Sequence, residues 1–249
     1  MKKLYILILC FLPIVINAEN IDALWQQAEK AYAARDYESA VEIYEKLVVD
    51  GESAPLYYNY ANALLKAGYT GKAILFYERA LRLDPSNDDI KYNLEFANLT
   101  KTDKIDKIET FFVAKWYEDI TMLFRSNVWA YLSLSLFLLA MVCFLLFRFG
   151  KNIVLRKVGF GLFVVMFVCS VLSVFHAIKS YNMIENSRAA ILMVGSETAK
   201  STPDSGGTEV FVIHEGTKVF VKSTLGEWSE VRIEDGNIGW IRTSSYEII

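Results

Sequence analysis

The sequence predicts a multidomain membrane protein in which an α-helical repeat domain, a two-helix transmembrane hairpin and a small all-β barrel follow one another along the chain. Three observations carry this. Two uncharged apolar runs, Val128 to Phe147 and Val158 to Ile178, flank a connector, Arg148 to Lys157, that holds two arginines and two lysines. Upstream, Ala28 to Val48 and Ala61 to Pro85 repeat one apolar pattern at helical spacing. Downstream of Asn186 the apolar period falls to two, and polar clusters at Asp204 to Gly207, Glu215-Gly216 and Asp235 to Asn237 divide short β-rich runs.

The N-terminus opens with Lys2 and Lys3, continues with an apolar stretch from Leu4 to Ile16, and reaches Ala18 ahead of Glu19. This reads as a signal peptide over residues 1–18. Ile16 stands where alanine is more usual, so an uncleaved anchor is the competing reading. Cys10 is followed by Phe11 rather than a small residue, which argues against a lipoprotein.

The chain has 249 residues, 53% of them hydrophobic, and a formal net charge of −3. The apolar excess belongs to the leader and the hairpin, while the basic connector conceals a more acidic balance in the exported parts. That balance argues against nucleic acid and against charge-driven docking on anionic headgroups. Cys10, Cys143 and Cys169 all fall in the leader or the spans, so neither exported part can build a disulfide or a thiolate metal site. His176 and His214 are too few for a histidine cluster, and no motif sets a nucleophile beside them. No catalytic, cofactor-binding or metal-binding residue is expected, no cofactor, and no enzymatic activity.

In the repeat region, residues 19–102, Ala40 aligns with Ala73 and Tyr44 with Tyr77, a period of 33 residues, with turns at Arg35-Asp36 and Gly68-Tyr69. This pattern resembles the tetratricopeptide repeat. The second copy keeps the family's small positions at Ala61, Gly68, Ala73 and Ala80 and closes on Pro85. The first departs from it at Ala28, Leu47 and Gly51. Asp88 to Leu99, with Ile90, Leu94 and Ala97 on one side, reads as the capping helix. The resemblance implies a concave groove for a partner segment, lined by Trp25, Glu29, Tyr32, Tyr58, Asn59, Asn62, Leu65, Tyr92 and Asn93. The competing reading makes several of these aromatics core. Clamps of this family that hold a C-terminal carboxylate use lysine or arginine at set positions, which here carry Trp25, Glu29, Asp89 and Asn93. A neutral or apolar peptide suits such a groove better.

Residues 103–126 carry Ile105, Ile108, Phe112, Trp116 and Ile120 at intervals of three or four, an amphipathic helix that either lies among lipid headgroups or packs on the repeat cap. The spans follow at 127–147 and 158–178. A connector as short as residues 148–157 makes them antiparallel, and its Arg148, Lys151, Arg156 and Lys157 hold it in the cytoplasm. Both soluble parts then face the periplasm, with the protein in the inner membrane. The spans contain no Asp, Glu, Lys or Arg for a substrate path, which argues against a transporter.

In residues 179–249, five strands are expected at Ala190–Val194, Val210–His214, Val219–Lys222, Ser229–Ile233 and Ile238–Ile241. The turn HEGT at residues 214–217, Trp228 ahead of Val231, and Gly239-Trp240 resemble a bacterial SH3-like domain. That resemblance implies a binding surface for protein segments or cell-wall peptides, with Phe211, Trp228 and Trp240 as candidates, although Trp240 also fits a core role. His214 is expected to hydrogen-bond across the Glu215-Gly216 bend.

Taken together, the leader, repeats, amphipathic bridge, hairpin and SH3-like domain resemble the BatE family of aerotolerance-operon (Bat) membrane proteins. The resemblance implies an envelope complex with von Willebrand A-type Bat proteins and a MoxR-type ATPase, linked to oxygen or other stress. Two readings stay open. One is a non-enzymatic adaptor with two tethered modules, whose weak contacts reinforce each other. The other is an envelope anchor that grips peptidoglycan through the SH3-like domain. Other envelope proteins, the lipid bilayer and peptidoglycan are thus the expected partners.

Overall fold

The computed structural model describes residues 21–105, 111–184 and 188–249. The signal peptide expected at 1–18 lies outside the described residues, as does Ile108 of the amphipathic stripe. The chain divides into two compact units. One joins the helical repeats and the segment after them to residues 188–249; the other is built chiefly from residues 109–187.

The first unit opens with α1 (residues 21–33) and α2 (Tyr37–Asp50), joined through Arg35, whose φ of 64° reverses the chain. Asp36 caps α2 by accepting the Ser39 N–H. Helix α3 (Ala54–Ala67) is capped by Ser53, which accepts the Leu56 N–H, and has proline in its first turn. It ends at Gly68, where φ is 94°, a conformation in which a Cβ is strained. Helices α4 (Thr70–Leu83) and α5 (Asp88–Thr100) follow, and Asn87 caps α5 by accepting the N–H groups of Asp89 and Ile90. Ala40, Ala61, Ala73 and Ala80 are fully buried, so small residues let the helices cross closely around Tyr44, Tyr60 and Tyr77. On α5 it is Ile90, Leu94 and Ala97 that are buried, the face its spacing predicts.

Residues 188–249 form an antiparallel sheet of seven strands rather than five. They are β1 (Ala189–Leu192), β2 (Ser196–Lys200), β3 (Glu209–His214), β4 (Lys218–Leu225), β5 (Trp228–Ile233), β6 (Ile238–Arg242) and β7 (Tyr246–Ile248). The spatial order is β3-β2-β6-β5-β4-β1-β7. Strand β2, with sequence SETAK, carries too little apolar character to signal itself, and β7 is only three residues long.

The expectation of two separate exported modules does not hold, because the sheet packs on α4. All four residues of β1 are buried: Ala190 and Leu192 belong to the sheet core, whereas Ile191 belongs to the helical core. Around this seam Lys218 Nζ lies 2.8 Å from both carboxylate oxygens of Glu78, and Arg79 pairs with Glu247 at 2.9 Å. The Gly71 N–H donates to Glu215 Oε1 at 3.1 Å. His214 bonds across the Glu215-Gly216 bend as expected, its carbonyl accepting the Thr217 N–H at 3.1 Å, and it also reaches outside the turn. Its ring Nδ1 sits 2.7 Å from Asp103 Oδ1, in the segment after α5, while its backbone N–H and the Thr217 hydroxyl donate to Asp103 Oδ2. Asp103 is thereby drawn toward the β turn, and Ile105 packs on the sheet core instead of starting a helix.

In the second unit the amphipathic helix is shorter than its spacing suggests: α6 spans Phe112–Thr121. Phe112 and Trp116 on it are 72% and 66% exposed. Helices α7 (Ser126–Phe149) and α8 (Ile153–Ile184) are antiparallel, and both are long and apolar enough to cross a membrane. At 1.5 Å per residue even the 24 residues of α7 extend about 36 Å, more than a bilayer core of about 30 Å. The connector is only Gly150 to Asn152, because Gly150 caps α7 and nothing after Asn152 in the basic stretch breaks a helix. Arg148 falls in the last turn of α7, and Arg156 and Lys157 lie in α8. Arg156 donates to the Phe147 carbonyl at 3.3 Å.

Across the hairpin Ser133 and Ser170 bond to each other's carbonyls, at 3.1 and 2.9 Å. Near the other end, His176 stacks on Trp129 at 4.7 Å and its Nδ1 meets the Thr121 hydroxyl at 2.8 Å, which pins α6. Gly159 permits a close approach: a Cβ there would lie 2.9 Å from Phe147 N and 3.1 Å from Cys143 O. Because both are backbone atoms, Gly159→Val is expected to force the helices apart at a cost of about 1–3 kcal/mol. Steric-trap unfolding of the hairpin in detergent checks this; an unchanged stability would mean that α7 and α8 do not meet at Gly159.

Candidate functional site

Helices α1, α3 and α5 carry nine of the twelve residues selected from the sequence; Tyr58, Asn62 and Asn93 share one hydrogen-bond network, and Trp25 and Glu29 form a second contact. Asn62 on α3 accepts from the Tyr77 hydroxyl at 2.5 Å and from Asn93 Nδ2 at 3.1 Å. Asn93, on α5, also donates to the Tyr58 hydroxyl at 2.8 Å. One amide oxygen thus links α3, α4 and α5, and because the network is made of neutral groups it holds a polar surface without a net charge. On α1, Trp25 Nε1 donates to Glu29 Oε1 at 2.8 Å, and the indole stands edge-on to Tyr44 with centroids 6.1 Å apart.

Between these two clusters lies a cavity of about 190 Å³ lined by Glu29, Tyr32, Tyr44, Asn59 and Asn62. Its phenols are held protonated. Burial, then the neighbouring Glu29 and Tyr32, pushes Tyr44 up to about 12. Burial, followed by Tyr37 and Tyr58, raises Tyr32 as well. Burial above all raises Tyr77 too, so the Tyr77–Asn62 bond keeps its donor throughout the physiological range.

Not every selected residue joins the groove. Leu65 is half-buried and packs against the helical core, and Trp25, Tyr32 and Tyr58 share that packing with their groove role. Tyr92 stands 70% exposed beside Asn93. Tyr44 and Tyr77, which the sequence marks only as aligned repeat positions, complete the site. Their signal was present: a tyrosine recurring at one repeat position, with a hydroxyl that needs a polar neighbour once buried.

The other three selected residues lie in the sheet. Phe211 on β3 packs against the sheet core. Trp228 on β5 and Trp240 on β6 occupy the strand positions that alternate with buried Ser229, Val231, Gly239 and Ile241. Both are half-buried, and Arg242 lies 5.7 Å over the Trp228 ring while Arg232 lies 5.1 Å over Phe220. Trp240 is therefore on the outer face, not in the core. A larger cavity of about 460 Å³ beside α5 and β4 is lined by four lysines and four carboxylates, including the Glu78–Lys218 pair, so its charges are balanced from within.

The family model of the tetratricopeptide repeat matches residues 54–87, which cover α3, α4 and the turn into α5. Such repeats generally mediate binding to other proteins. The helix pair α1 and α2 has the same helix-turn-helix form and stacks on α3, so the matched unit sits inside a longer helical array. No curated protein matches the chain.

Proposed function

We propose that this protein is a non-enzymatic adaptor of the inner membrane, with its repeat groove presented to partner proteins in the periplasm and its connector in the cytoplasm. The observation that supports it best is the groove itself. Helices α1, α3 and α5 offer polar side chains on a face that the sheet, docked on α4, leaves uncovered. The basic residues around the connector and the two apolar helices favour the same topology. A bacterial SH3-like character for residues 188–249 fits the sheet and its turn at residues 214–217. The resemblance to the BatE family suggests von Willebrand A-type Bat proteins as the partners and stress tolerance as the setting.

Photoreactive residues at Tyr58 and Trp240 test the reading in native membranes. Crosslinks from Tyr58 to membrane-anchored envelope proteins are expected, and none at that position would remove the groove as the contact. Alkaline phosphatase fused after Lys107 or Ile249 is expected to be active and after Lys151 inactive; activity at Lys151 would reverse the topology. The half-buried Trp228 and Trp240 on the outer face, with Arg242 over Trp228, support a second reading in which the sheet binds peptidoglycan. Crosslinks from Trp240 to wall fragments alone would favour it.

A further inference from the structure

We infer that the cavity between α1, α2 and α3 is a subsite for one basic side chain, lysine or arginine, carried by an extended segment of the partner protein. This rests on the groove reading above and specifies the partner's chemistry. Glu29 is the one charged residue among those lining the cavity, and no lysine or arginine is among them. Trp25 holds one of its oxygens at 2.8 Å, which fixes the carboxylate and leaves the second oxygen for another donor. Tyr32 and Tyr44 form the aromatic walls. The ring faces and the phenol oxygens of these side chains both carry negative potential, so an ammonium or guanidinium group is attracted to either. Burial is the main cause of the upward shift of Tyr44, and Glu29 adds to it.

Size and hydrogen bonding point to a side chain on a peptide rather than a free ion. The volume of about 190 Å³ equals that of about six water molecules, room for one long side chain. The side-chain amide of Asn59, half-buried on the cavity wall, has no hydrogen-bond partner among the described residues. Its amide supplies one donor and one acceptor, the pair that a peptide link of an extended strand presents. An acidic or C-terminal segment would instead bring its carboxylate to Glu29 without a cation to receive it.

The test is selection of a random dodecapeptide library against the immobilised full-length chain in detergent, with photocrosslinking from position 58 to identify groove-bound peptides. The groove-bound peptides are expected to share a lysine or arginine. Replacing that residue by norleucine is expected to weaken binding about tenfold at low salt and less at high salt. Glu29→Gln, whose side-chain oxygen can still accept from Trp25, should cause the same loss, with no further loss when both changes are combined. Groove-bound peptides lacking a shared basic residue, or equally tight binding by Glu29→Gln, would overturn the subsite while leaving the groove intact. A selection that yields no peptide crosslinked at position 58 would overturn both.

Discussion

Replacing Ile191 by alanine is expected to destabilise the helical repeats and the sheet together, by about 2–5 kcal/mol, the usual cost of emptying a buried isoleucine site. Ile191 is a residue of β1, yet it is fully buried in the core of the helical repeats. Its neighbours Ala190 and Leu192 fill the sheet core from the same strand. A cavity at 191 therefore weakens the seam where two cores share one strand, and neither side can relax without moving β1. Hydrogen exchange of the full chain gives the readout. Protection is expected to fall in parallel across α4 and across β4 and β5. If the sheet lost protection while α4 kept its own, the two would be independent modules and the shared-core description would be wrong.

The second large effect is expected at Asp103. It accepts from the His214 N–H, the His214 ring and the Thr217 hydroxyl, each at 2.7 Å, and its side chain is only 15% exposed. Asp103→Ala removes all three bonds and leaves the Thr217 hydroxyl, 1% exposed, without its acceptor. Hydrogen bonds to a charged group are worth about 1.5–3 kcal/mol, and the loss should fall in or above that range. The pH dependence follows from the same contacts. Burial alone would raise the carboxyl, but the donors from His214 and Thr217 outweigh it and hold Asp103 below the ordinary value of 3.8. A carboxyl depressed in the folded state contributes stability in full above its unfolded value, and loses it as pH falls below about 4 toward the folded value. The melting-temperature gap between wild type and Asp103→Ala is expected to narrow as pH falls below 4. A gap that stays constant down to pH 2 would mean that the carboxylate charge contributes nothing there.

Much of the helical half was legible because its signals are local. Ile90, Leu94 and Ala97 lie three or four apart and all three are buried; Gly68 and Arg35 mark the two reversals. The groove was legible to the extent that repeat position dictates which face a residue occupies, which brought Tyr58, Asn59, Asn62 and Asn93 together. Sequence position could not reveal that Tyr77 turns its hydroxyl to Asn62, since that bond joins residues 15 positions apart on two different helices. Ile105 followed the amphipathic spacing and yet left the helix, because the Asp103 contacts and the sheet core drew the segment away. Strand β1 held an unread clue. Its sequence AAIL is apolar without alternation, as a strand covered on both faces must be.

The sequence by itself determined the order of the parts: a helical repeat, two apolar helices joined by a basic stretch, and a short-stranded β region. Each is written in a period of 3.6 or 2 or in an unbroken apolar run, patterns that depend only on which neighbours along the chain must share a face. Only the tertiary structure decided that the repeat and the β region are one body. That outcome rests on Ile191 entering the helical core, Lys218 meeting Glu78 and Asp103 meeting His214, contacts between residues more than 100 positions apart. Shape and charge complementarity across such distances leaves no periodic trace in the chain.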